Sequence, residues 1–314
     1  MIRKRWVWPI LILPFLVLLI VCAGLWSASN QLLFPSWHGV VQDLSVCNQD
    51  AEKNWGKSCG NLRTTKEYEF KEVQILSING YRLPGWMIET EPNGFARARG
   101  AIVLVHGGGS DRREMTRHLR FFLKNKLDVL TFDLGCHGEA PCPVEGLTYG
   151  QRESRDVFSS YLYLSKKYQK VYAMGSSIGA GSILIALPQM PKLNGVIVEN
   201  PMESFQRLIS DSPEAQSAPK KFVQAMIDLS MLRGKFDGLL SPKNSLPLAN
   251  GIPIYFVHSR KDRVVSYRQT QELFDLYAGP KTIWLPDFGD HGTIRETNPA
   301  EYEQKLSNFL MRTE

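Results

Sequence analysis

The chain has 314 residues and a mass of 35.6 kDa, with 43% hydrophobic and 22% charged residues, five cysteines and a formal charge of +6. These values exclude a disordered chain, a collagen-like repeat and a dense disulfide scaffold, and the length suits one large domain with an appendage. Three of the surplus positive charges are Arg3, Lys4 and Arg5, and there is no long like-charge block or repeat, so the basic balance points to no nucleic-acid partner.

The appendage comes first. From Trp6 to Trp26 no residue is charged, and a helix of that length matches the roughly 30 Å hydrocarbon core of a bilayer. Arg3, Lys4 and Arg5 precede the run, whereas the first basic residue beyond it is Lys53. Positive charge is retained on the cytoplasmic side, so residues 1–27 are expected to form a basic stub and a single-pass signal anchor. Everything beyond then lies outside the cytoplasm, in the periplasm if the source is bacterial. A cleaved signal peptide is the rival reading, with Ser27, Ala28 and Ser29 as a small-residue cleavage site and a secreted product. Against it, the run is longer than the roughly 7 to 15 residues of a signal-peptide core. Cys22 follows Val21 rather than a small residue, so a membrane-buried cysteine is favoured over a lipidation site.

The other four cysteines form two close pairs, Cys47 with Cys59 and Cys136 with Cys142, which suggests two local disulfides in an oxidising compartment, with free core thiols as the alternative. No Asn-x-Ser/Thr sequon occurs, which favours a periplasm over a secretory lumen.

Residues 28–65 have no clean periodicity and read as a stalk packed onto a domain spanning 66–314. Tyr68–Ile75 and Tyr81–Ile88 flank Asn79-Gly80 and read as a hairpin closed by a type I′ turn. Apolar strands ending at His106, Asp133, Gly175, Glu199, His258 and Pro286 then alternate with helical spacing at about 112–124, 150–168, 178–188, 266–278 and 298–312. Such alternation predicts an α/β fold, a mostly parallel sheet with helices on both faces that binds ligands beyond the carboxyl ends of its strands. Residues 201–250 interrupt the alternation; they read as a small helical cap or as ordinary helices with no gating role.

Gly175-Ser176-Ser177-Ile178-Gly179 has the G-x-S-x-G pattern between a strand and a helix, where Ser177 would project from a sharp turn as a nucleophile. A serine hydroxyl needs a general base, and the base an orienting acid. His291 follows the last strand, the late position expected for the base, whereas His106 and His258 end earlier strands and read as structural, and His38, His118 and His137 have no stronger claim. Asp262 lies between serine and histidine in sequence and is the expected acid; Asp290, adjacent to His291, is the rival. Oxyanion donors are expected from the backbone of Ile178 and, in His106-Gly107-Gly108-Gly109, of Gly108. Asp111 and Glu114 suggest a capping box, opening a helix whose Arg112, Arg113, Arg117 and Arg120 form either a solvated face or a lure for anionic groups.

Together these motifs resemble the α/β-hydrolase superfamily over about residues 66–312, and within it membrane-anchored members similar to acylglycerol lipases and serine aminopeptidases. The resemblance implies an eight-stranded sheet with a lead antiparallel strand, no cofactor and no metal, and an acyl-enzyme mechanism with Ser177, His291 and Asp262 as triad. Two stretches depart from the pattern. Asp133-Leu134-Gly135-Cys136-His137-Gly138-Glu139-Ala140 lacks the arginine and serine common in relatives, and Glu199-Asn200-Pro201-Met202 stands where an Asp-Ser-Pro-Phe type turn is frequent. The expected function is hydrolysis of a carboxylic ester, including lipid or thioester, on a small-molecule or lipid acyl substrate. The alternatives are a peptidase or acyltransferase with the same triad, or a non-catalytic partner-binding protein on the same fold.

Overall fold

The computed structural model describes residues 7–90, 98–142, 146–249 and 251–313. Arg3, Lys4, Arg5 and Trp6, on which the orientation of the apolar segment rests, lie outside the described residues.

An apolar helix runs from Val7 to Leu33, and it is the one helix among the described residues long and apolar enough to cross a membrane. Leu13 and the apolar residues Phe15 to Val21 are 41–71% exposed. The helix does not stop at residue 27. Ser29 and Leu33 are fully buried, because the last turns lie on the helix Lys220–Gly234. Arg233 stacks its guanidinium 3.6 Å from the centroid of the Trp26 ring and donates to Ser29 Oγ (2.9 Å), Asn30 Oδ1 (3.1 Å) and the Trp26 carbonyl (3.1 Å). Leu33 packs with Phe205, Ile209, Val223, Ile227 and Phe236 in an apolar cluster. The expected stalk is thus continuous helix as far as Leu33.

The remainder of that segment also has structure that its sequence pattern did not announce. A short helix, Gln49–Trp55, is capped by Asn48, and disulfides join Cys47 to Cys59 and Cys136 to Cys142. Leu44, Cys59 and Leu62 are buried. The segment is fastened by Arg113, which donates to the carbonyls of Leu44 (2.8 Å) and Val46 (2.7 Å).

Among the described residues the domain has eight strands: β1 (Lys71–Leu76), β2 (Arg82–Ile88), β3 (Gly100–Val105), β4 (Leu127–Phe132), β5 (Val171–Ser176), β6 (Leu193–Glu199), β7 (Ile254–Val257) and β8 (Lys281–Trp284). Their order in the sheet is β1-β2-β4-β3-β5-β6-β7-β8. β2 is antiparallel to both β1 and β4, and all other neighbours are parallel. The central strands β3, β4 and β5 are buried along their whole length, as expected where helices cover both faces. Two apolar clusters, one around Val103, Leu130 and Ile183 and one around Leu104, Met174 and Tyr302, form the core on opposite faces.

One turn differs from expectation. In the β1–β2 hairpin only Gly80 has positive φ (90°), whereas a type I′ turn needs two such residues. The Ser77 carbonyl accepts from Gly80 N–H and Ser77 N–H donates to the Tyr81 carbonyl, which makes a three-residue turn. The Asn79 side chain is instead held by Asp156 Oδ1 and the Arg152 carbonyl, both at 2.9 Å, and these contacts outweigh the local turn preference.

Candidate active site

Ser177 stands between β5 and the helix Ile178–Ala186 with φ 52° and ψ −116°. A non-glycine residue in such a conformation stores roughly 1–3 kcal/mol of strain. Its surroundings hold it there: Ser177 N–H donates to the Glu199 carbonyl (2.8 Å) and the Ser177 carbonyl accepts from Gly181 N–H (2.9 Å). The serine itself therefore takes the turn, while the flanking glycines supply room. A Cβ on Gly175 would lie 2.7 Å from the Gly179 carbonyl carbon, and one on Gly179 would lie 2.5 Å from the carbonyl oxygens of Val105 and His106. Close packing of helix on strand, not backbone freedom, is what these two positions require.

His291 and Ser177 line one cavity of about 210 Å³, together with Gly107, Gly108, Gly109 and Glu114. His291 Nδ1 is 2.7 Å from Asp262 Oδ2. The Asp262 side chain is fully buried, and its other oxygen accepts from the N–H groups of Val264 (2.8 Å) and Val265 (2.9 Å). Burial acts to raise its pKa, but hydrogen bonds from His258 and His291 hold the carboxyl well below the usual carboxylate range. Asp290 is occupied otherwise: it accepts from the backbone N–H of His291 and Arg263 and pairs with the Arg263 guanidinium.

His258 has a closer relation to this pair than its strand-end position suggested. Its Nε2 is 3.0 Å from Asp262 Oδ2 and 2.9 Å from the Val265 carbonyl. Two acceptors on one ring nitrogen require that it carry the proton. His106 is structural: Nε2 accepts from Leu134 N–H (3.0 Å), so Nδ1 donates to the Gly107 carbonyl (2.7 Å). Gly107 N–H in turn donates to Glu114 Oε2 (3.0 Å). The glycine loop is thereby pinned at Gly107 on both sides. Its next residue, Gly108, lies against Ile178, since an added Cβ would sit 2.4 Å from Ile178 Cδ1. Ile178 opens its helix with no side-chain cap.

The capping box does not form. Asp111 Oδ1 accepts from Arg113 N–H and Nε, and Glu114 is committed to Gly107. Nor do the arginines make a solvated face: Arg112, Arg113 and Arg117 are buried and only Arg120 is exposed. Arg112 pairs with Asp133 and Glu139, and Arg113 with Asp111. Arg117 faces Glu114, Glu199 and Glu296 and donates to the Gly292 carbonyl (3.0 Å). The reason is tertiary. Acids from three other parts of the chain compensate Arg112 and Arg117, while Asp111 and the carbonyls of Leu44 and Val46 hold Arg113, and this allows the helix start to be buried.

Sequence reasoning missed the outer wall. The cavity at Ser177 is bounded by Asn54 and Trp55, and among the described residues none of 201–249 lines it. Trp37 covers the glycine loop, its Nε1 lying 3.0 Å from where a Gly109 Cβ would be. The tryptophans in a segment without periodicity, beside a cysteine pair, were the available signal. Residues 201–250 instead contribute the helices Phe205–Ser210, Pro213–Ser217, Lys220–Gly234 and Pro242–Ser245, the third of which seats the N-terminal helix. As to metals, His38 lies within 4.8 Å of Cys136 and Cys142, but a disulfide joins those sulfurs and leaves no thiolate to bind an ion.

The strand order, the elbow at the end of β5 and the acid and histidine after β7 and β8 define an α/β-hydrolase-like fold. No family model matches the chain. It is 22% identical over 247 residues to the uncharacterized protein YfhR of Escherichia coli O157:H7, covering 77% of this chain and 80% of that protein. Among solved structures it is similar to the Pyrococcus furiosus esterase Pf2001, with a TM-score of 0.62, 20% identity and coverage of 87% of this chain and 97% of the esterase. A Pyrococcus horikoshii acylaminoacyl peptidase aligns with a TM-score of 0.60 and 17% identity over 80% of this chain and 42% of the peptidase.

Proposed function

We propose that this protein is a serine hydrolase that cleaves carboxylic esters through Ser177, His291 and Asp262, tethered by its N-terminal helix to a membrane with the catalytic domain outside the cytoplasm. The observation that carries the reading is the strained Ser177 sharing a cavity with a His291 whose Nδ1 is 2.7 Å from a buried Asp262. Ser177 Oγ attacks the ester carbonyl while its proton passes to His291 Nε2. Asp262 fixes the tautomer by accepting from Nδ1 and stabilises the imidazolium. The backbone N–H of Ile178 and Gly108 stabilise the oxyanion, Gly107 N–H being taken by Glu114. The carbonyl reforms, the ester C–O bond breaks, and His291 returns the proton to the departing alcohol. Water then resolves the acyl-enzyme by the same route, releasing the acid and regenerating the serine.

Similarity to an esterase supports ester chemistry. Amide cleavage is the second reading, supported by the acylaminoacyl peptidase neighbour. The disulfides support an oxidising compartment. The test is labelling of the full-length chain in nonionic detergent with a fluorophosphonate probe. Labelling absent from Ser177→Ala and His291→Ala supports the reading. A folded, unlabelled wild-type chain with no turnover of esters or amides overturns it in favour of a partner-binding protein.

A further inference from the structure

Behind Trp55 lies a second cavity, of about 360 Å³, which shares Asn54, Trp55 and Arg117 with the cavity at Ser177. The two adjoin at those residues. The second is basic. Lys53, Lys57 and Arg120 on its wall are exposed and form no ion pair among the described residues. Of the two acids there among the described residues, Glu296 is already engaged by Arg117 (3.7 Å) and Arg295 (3.6 Å), which leaves Glu67 to oppose Lys53, Lys57 and Arg120. Arg117 and Arg295, which also line the cavity, are shared among Glu114, Glu199, Glu296 and Glu303, so neither adds surplus charge and the positive excess rests on Lys53, Lys57 and Arg120.

This cavity meets the reacting groups through its shared wall and through Arg117. Arg295 and Glu296 follow closely on His291, and Arg117 bonds the residue immediately after it. Through Arg117 the basic cavity thus adjoins the loop that carries His291. In acyl transfer the histidine hands its proton to the leaving group, so the space beside that loop accommodates the alcohol portion of an ester.

We infer that the cavity bounded by Trp55, Lys57 and Arg120 is an anion subsite, which selects esters whose alcohol portion carries a carboxylate or phosphate group. The inference rests on the ester-hydrolase reading above. Both anions are acceptors without donors, suited to lysine and arginine donors, and because Lys53, Lys57 and Arg120 are exposed they can be met without complete dehydration of the anion.

The test compares three acetate esters on the full-length chain in nonionic detergent: 4-acetoxybenzoate, 4-acetoxyphenyl phosphate and the neutral 4-acetoxybenzamide, with acid release followed by pH-stat. The expected result is a kcat/KM about tenfold higher for the anionic esters than for the amide-bearing one, falling towards parity in Lys57→Gln/Arg120→Gln and in high salt, as for charge pairs near a surface. Both residues are exposed, so their loss leaves folding intact. A preference confined to the phosphate ester assigns the subsite to phosphate, and equal preference assigns it to either anion. Hydrolysis of all three at equal kcat/KM, or a preference unchanged in the double variant, overturns the subsite while leaving the hydrolase. Hydrolysis of none, with no fluorophosphonate labelling, overturns the hydrolase reading and the substrate subsite with it.

Discussion

His258 Nε2 lies 3.0 Å from Asp262 Oδ2, the same oxygen that faces His291 Nδ1 at 2.7 Å. The buried carboxylate is thus held between two imidazoles, one exposed to the cavity and one fully enclosed. A hydrogen bond to a charged group contributes roughly 1.5–3 kcal/mol. On the proposed mechanism, His258→Leu should lower kcat about ten- to hundredfold with little change in KM, because it releases Asp262 without touching the substrate. Steady-state kinetics on a chain of verified fold measure this, and an unchanged kcat would show that the two backbone N–H groups suffice to orient the acid.

The same carboxylate predicts a pH dependence of stability. Its folded pKa lies below the ordinary value of about 3.9, so its ionised form contributes stability that is fully present above that value and is lost as pH falls through it towards the folded pKa. The stability gap between wild type and Asp262→Asn, measured by urea unfolding, should therefore be larger at pH 7 than at pH 3. A gap that widens on acidification would contradict this assignment.

Gly179 and Gly108 differ in what an added methyl group meets. At Gly179 it strikes two backbone carbonyl oxygens at 2.5 Å, whereas at Gly108 it strikes the Cδ1 end of the Ile178 side chain at 2.4 Å, which can turn aside where backbone cannot. Overpacking costs typically about 1–3 kcal/mol. Gly179→Ala should reach or exceed the upper end and Gly108→Ala should fall below it, while Gly108→Ala should still depress turnover by crowding the proposed oxyanion site. Thermal unfolding of the two variants in parallel provides the comparison.

Arg233 joins the N-terminal helix to the helix Lys220–Gly234 through Trp26, Ser29 and Asn30. Arg233→Ala removes these bonds together with the ring contact, a loss of roughly 1–3 kcal/mol in local docking. The expected outcome is faster proteolytic cleavage between residues 27 and 40 with the fold of the remainder preserved. Cleavage at the wild-type rate would mean that burial of Leu33 alone secures the helix.

The strand and helix alternation, the glycine-flanked serine and the hairpin could be read from the chain because each depends on neighbours a few residues away. Periodicity fixes which face of a segment is apolar, and the small residues around Ser177 are needed by the strand-to-helix junction that contains them. Contacts between distant segments were beyond such reading. Arg112, Arg113 and Arg117 have the spacing of a surface helix, yet they are buried because Asp133, Glu139, Glu199 and Glu296 reach Arg112 and Arg117 from elsewhere, and the carbonyls of Leu44 and Val46 join Asp111 at Arg113. Asn79-Gly80 favours one turn by local preference, and Asp156 imposes another.

What the sequence by itself determined is the layered α/β architecture, the apolar N-terminal helix and the placing of a serine at a strand end. These follow from local backbone preference and from the period of burial. Only the tertiary structure decided that Trp55 and Asn54 wall the cavity, that His258 shares the oxygen of Asp262 facing His291, and that the N-terminal helix runs without a break onto the body of the domain. Each of these is a meeting of residues far apart in the chain. Their partners are chosen by shape and charge complementarity in the folded chain, and neither quantity is encoded in the spacing of any single segment.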